Sequence, residues 1–134
     1  MTPALDLLYR PDLDLLMVRW LADVSFTELQ AQYEAILIEG QSHHTLRWLL
    51  DVRRRAVPTQ EAAQWVTHNW LPRAAAAISS GWLQLAYFIS PTRDEVMHSD
   101  VLVQPIVQAA LAPTQPYDLR MFKDEGDAVR WLTT

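Results

Sequence analysis

Leu46-Arg47-Trp48-Leu49-Leu50-Asp51-Val52, running straight into Arg53-Arg54-Arg55, is the stretch whose reading decides the fold. Five apolar residues in seven, flanked by helical patterns, describe a strand covered on both faces inside an α/β sheet. The strand closes on a carboxylate, Asp51, beside a dense cationic loop. Open α/β sheets place their ligands at that end of their strands.

Upstream, Ser25-Phe26-Thr27-Glu28 is a capping box, in which hydroxyl and carboxylate each satisfy a free amide of the first helical turn. Phe26, Leu29, Tyr33, Ile36 and Leu37 follow at helical spacing, and Gly40 is placed to close the helix in the left-handed conformation. Before that helix, Leu5 to Arg10 and Leu13 to Ala22 read as a hairpin around Pro11-Asp12. Its second strand is apolar on both sides except at Arg19, as befits a strand inside the sheet.

Downstream, Thr59 caps a helix through Ala62, Trp65, Val66 and Asn69, which Pro72 must kink or end. A further turn or two through Ala74 to Ile78 precedes Gly81. Leu83 to Ile89 is the next buried strand, ending at Ser90-Pro91-Thr92-Arg93. Ser99-Asp100 caps a helix carrying Leu102, Val103, Ile106, Val107, Ala110 and Leu111, with Pro105 in its first turn or at a kink. Tyr117 to Phe122 is a last strand. Asp124, Glu125 and Asp127 then open a final helix with the charge sign its dipole favours, over an inner face of Ala128, Val129, Trp131 and Leu132. The order ββαβαβαβα predicts one α/β domain over residues 1–134, a mixed, mostly parallel sheet of about five strands with an N-terminal hairpin and about four helices.

Composition bounds the function. The 134 residues are 50% hydrophobic and 20% charged, with a net charge of -5, six tryptophans and no cysteine. Disulfides, thiolate nucleophiles and sulfur-ligated zinc are excluded, and the acidic balance argues against nucleic acid. Met1 to Asp6 lacks the pattern of a signal peptide and no segment has the length of a membrane span, so a cytoplasmic protein is expected.

The opening hairpin, the strand Trp48-Leu49-Leu50-Asp51-Val52, Trp70-Leu71-Pro72 before Ala86-Tyr87-Phe88-Ile89-Ser90-Pro91, and the ending Met121 to Leu132 resemble the SpoIIAA-like branch of the STAS superfamily, also described as STAS/SEC14-like domains. The resemblance implies a bacterial cytoplasmic domain that binds a partner or small ligand, commonly without catalysis. STAS domains that antagonise anti-sigma factors carry an aspartate-serine pair at the helix after the central strand, where the serine is phosphorylated. Here the region reads Arg55-Ala56-Val57-Pro58-Thr59-Gln60, with Thr59 in a roughly similar place.

The topology brings Arg53, Arg54, Arg55, Arg93 and Lys123 to one rim, where arginine forks can take a phosphate, a carboxylate or an acidic partner. The plain alternative is a solvated charge run paired with Asp94, Asp124 and Glu125. Asp51 belongs to the same site as a ligand-binding residue. As a general base it would need a partner such as His68 or His98, and its ordinary role is a cap or an ion pair. His43 and His44 are adjacent and His68 and His98 lie on other segments, so no metal site and no cofactor is expected. Ser79, Ser80 and Ser90 read as turn residues, since no nucleophile motif surrounds them. Trp65 and Trp70, five apart on one helix, cannot both enter one core, and one of them is a candidate homodimer interface. The leading expectation is a non-catalytic binding or regulatory domain. The alternative is a SEC14-like carrier of an apolar ligand, whose pocket would be lined by side chains such as Trp20, Trp48, Trp65 and Tyr87.

Overall fold

The computed structural model describes residues 4–78 and 81–134. The reading of Ser79 and Ser80 as turn residues lies outside them. Five strands, β1 (Leu5–Arg10), β2 (Leu15–Trp20), β3 (Arg47–Asp51), β4 (Gln84–Phe88) and β5 (Asp118–Phe122), form one sheet in sequential order. β1 and β2 pair antiparallel and every later pair is parallel, with Leu50 opposite Val18 and Tyr87. The α/β class and the mixed, mostly parallel sheet agree with the sequence reading.

Strand parity sorts the side chains. Trp48, Leu50 and Val52 face one side, together with Leu16, Val18, Trp20, Leu85, Tyr87 and Leu119, and that side is covered by the helices of the crossovers. These are α1 (Phe26–Ser42), α2 (Gln60–Trp65), α3 (Leu71–Ala77), α4 (Pro91–Ser99) and α5 (Gln104–Ala110). Leu15, Leu49, Ala86 and Phe88 face the other side, under α6 (Glu125–Thr133), which contributes Ala128 and Leu132.

The caps follow the sequence. Ser25, Thr59, Ser90 and Asp124 each accept an amide hydrogen three residues on. Three indoles are wholly buried and each N–H has an acceptor: Trp20 donates to Gln32 Oε1, Trp48 to the Thr45 carbonyl and Trp70 to the Tyr33 carbonyl. Such partners remove the cost of an unpaired buried donor.

Three expectations are corrected. Gly40 does not end α1, which runs on to Ser42, and the left-handed residue is His44, at φ 53°. Gly40 is needed because the Trp48 ring lies against its Cα: a Cβ there would sit 2.6 Å from Trp48 Cε2. Pro72 does not end the helical run: a π-helical turn, Val66–Trp70, leads up to it and α3 restarts with the proline in its first turn. Finally, the four helices expected are too few: residues 91–99, given no element from the sequence, form the helix α4.

Replacing Gly40 with alanine sets two terms against each other. Alanine gains roughly 0.5–1 kcal/mol of helix propensity, whereas intrusion on a fully buried ring costs about 1–3 kcal/mol. Net destabilisation of about 1–2 kcal/mol is expected for Gly40→Ala, measured as a lowered urea midpoint at unchanged slope.

Candidate binding cleft

The parallel strands do end along one edge, but the sheet divides the cations that follow them. On the α6 side, Asp51 is buried with both oxygens filled. Oδ1 accepts from the Arg53 backbone N–H at 3.1 Å and from Arg53 Nε at 3.0 Å, while Oδ2 accepts from Arg53 Nη2 at 2.9 Å and Arg19 Nη1 at 2.7 Å. Arg19 also reaches Glu125 Oε1 at 2.9 Å, tying β2, β3 and the start of α6 together. Arg53 lies flat on Phe88, its Cζ 4.0 Å from the ring centroid. Burial pushes the Asp51 carboxyl up, and the bonds from Arg53 and the charge of Arg19 outweigh it and hold the group below its ordinary value. This is a saturated, charge-balanced clamp, and its partners are arginines rather than histidines.

On the opposite side, between the sheet, α1, α2, α4 and α5, a cleft opens at the same strand ends. Its cavity is about 70 Å³, within about 610 Å³ of empty space running out to solvent. Leu29, Val66, Leu71, Met97, Val107 and Leu119 are among the apolar residues of its wall. Five polar side chains line it, and each is placed by a local feature of the chain.

Arg93 occupies a core-facing position of α4, one turn before Met97, and is only 7% exposed. Its Nη1 donates to the Ala56 carbonyl at 2.7 Å. Arg55, from the loop after β3, holds its Cζ 5.5 Å from the Trp20 ring, and its Nε is buried with no hydrogen-bond partner. Burial and the neighbouring charge of Arg55 lower the Arg93 pKa to about 10, still protonated at neutral pH. Among the described residues no carboxylate lines the cleft. Asp23, beside Arg55 in a smaller adjoining cleft, touches Arg93 only through its long-range field.

Tyr33 on α1 and Tyr87 on β4 join hydroxyls at 2.9 Å across the cavity. Two hydroxyls carry two protons and their mutual bond uses one. The second has no acceptor among the hydrogen bonds of the described residues. Thr67 is buried in the π turn and also lines the cleft.

Of the rim residues expected from sequence, Arg55 and Arg93 are thus brought together. Arg53 and Asp51 lie beyond the sheet, Arg54 is exposed, and Lys123 sits 3.5 Å from Asp94 Oδ2 on the surface. Thr59 caps α2 and borders the smaller cleft. Tyr87 lines the cavity as expected for a carrier, but Trp20 and Trp48 are packed core. Trp70 is the core member of its pair and offers no surface, while Trp65 is half-buried against Phe26 and Tyr33. Tyr33, on the inner stripe of α1, carried no functional signal in the sequence; only the meeting of two distant tyrosines reveals it. Among the described residues no helix is long and apolar enough to cross a membrane, and no three metal-ligating side chains cluster. The chain matches no protein-family model, no curated protein and no solved structure.

The clamp makes a pH prediction with a definite sign. A carboxyl whose folded pKa is depressed contributes stability that is present above its unfolded value, about 4, and lost as pH falls through the lower folded value. Asp51→Asn should cost about 2 kcal/mol at pH 7, below the 3–5 kcal/mol of a wholly buried pair because both arginines remain partly exposed. Urea titrations at pH 7 and pH 3 should show the variant losing less stability on acidification than the parent.

Proposed function

We propose that this chain is a non-catalytic, STAS-like binding domain whose ligand presents a negative charge to Arg55 and Arg93 in the cleft. One observation carries the reading: the polar lining consists of two cations and hydroxyl groups, set in an apolar wall without a carboxylate to neutralise them. Guanidinium groups carry five N–H donors each and no acceptor. Buried charge is costly unless paired, so an uncompensated arginine in a cleft marks a site completed from outside. The position agrees with the strand-end location at which open α/β sheets bind ligands. Catalysis gains no support, because Asp51 is held ionised between arginines on the far face and, among the described residues, no histidine lines the cleft.

The test is thermal and chemical stabilisation of the full chain by a panel of carboxylates and phosphates. A binder at a hundred times its dissociation constant adds about 2.7 kcal/mol to the folded state. Arg93→Met should abolish that response while leaving the empty protein as stable as the parent or more so, because it removes a desolvated charge facing another. Arg53→Ala, on the other side of the sheet, should keep the response. Loss of the response in Arg53→Ala and retention in Arg93→Met would reverse the assignment.

A further inference from the structure

Resting on that reading of the cleft, we infer that the ligand is a compact amphipathic carboxylate, with a single planar anionic head on an apolar body the size of one ring or a short branched chain. The head is defined by the donors together with the space around them. Arg55, Arg93 with the N–H groups not used on the Ala56 carbonyl, and the tyrosine pair with its spare proton all line the same cavity. A carboxylate offers about four lone-pair sites in one plane and suits an arginine fork. A phosphate group, with four oxygens around its phosphorus, would by itself take up most of a cavity of about 70 Å³ and leave the apolar wall of Leu29, Met97 and Val107 without a partner.

The body is defined by the wall and the volume. One water occupies about 10–15 Å³ of such space, so a cavity of about 70 Å³ holds a body of about five or six heavy atoms. A long acyl chain would leave most of its length in solvent. The tyrosine pair sets selectivity. Its spare hydrogen serves an anionic or carbonyl acceptor and gives nothing to a hydrocarbon, so the head determines whether the body enters.

Isothermal titration calorimetry on the full chain separates these elements, using benzoate and 3-methylbutanoate as compact carboxylates, acetate as the head alone, inorganic phosphate as a rival head and dodecanoate as a long body. Benzoate or 3-methylbutanoate should bind at least tenfold tighter than acetate, phosphate and dodecanoate. Tyr87→Phe should weaken the compact carboxylates at least threefold. Val107→Phe, which fills a cavity wall that is only partly buried, should abolish them while preserving the weak affinity for acetate. Phosphate or acetate binding as tightly as the compact carboxylates would overturn the ligand class and leave the Arg55–Arg93 anion site standing. Tighter dodecanoate would overturn the compact body alone. An absence of heat with every anion, in a protein whose urea transition is cooperative, would overturn both.

Discussion

A strand must send successive side chains to opposite faces, and in this molecule that alternation decides what each charge at the sheet edge can do. Asp51 shares its face with Leu49 and so lies under α6, whereas Trp48, Leu50 and Val52 face the crossover helices. Once Asp51 points toward α6, Arg19 directly across the pair in β2 points the same way and meets it. Arg53 folds back to the same carboxylate, which leaves Arg55 to turn toward the opposite side. The triple arginine is therefore two different objects: a structural clamp and one half of the candidate cleft's cationic pair.

The two objects have opposite energetics. The clamp sets Arg19 and Arg53 against Asp51 and Glu125, so its charges cancel locally and it fastens the helix that covers the thinner face of the sheet. The cleft sets Arg93 beside Arg55 with no ion pair to either among the described residues and only the distant field of Asp23 to offset them, an arrangement that costs the empty fold stability. Folding tolerates this because the surrounding core is large: three wholly buried tryptophans, each with its indole hydrogen bonded, and two aliphatic layers. Functional sites commonly retain such unfavourable arrangements at the expense of stability.

Much of the architecture was legible in the sequence, because apolar periodicity and capping residues are local signals. The hairpin, α1, the strand around Leu49, the strand around Ala86 and α6 all stand where those signals place them. α4 was illegible for a physical reason. Its inner positions are Arg93 and Met97, so a cation stands where the pattern requires an apolar residue. The same substitution that hid the helix makes the cleft. Gly40 misled because glycine has two uses, a left-handed turn and a close approach, and only the packed Trp48 ring distinguishes them. The gathering of cations at one edge could be read from topology. Their division between two faces could not, since it depends on where each loop side chain turns after the strand has ended.

The five residues Val66–Trp70 act as a spacer of fixed phase. An α-helix advances about 100° per residue, so one residue more or fewer in that span would rotate everything downstream by that angle. Leu71 and Ala74 would swing away from the sheet, and Leu71 would leave the cavity wall. A single-codon deletion here would thus be far more damaging than most substitutions at the same positions. The length of this segment is under tighter physical constraint than the identity of its exposed members, His68 and Asn69.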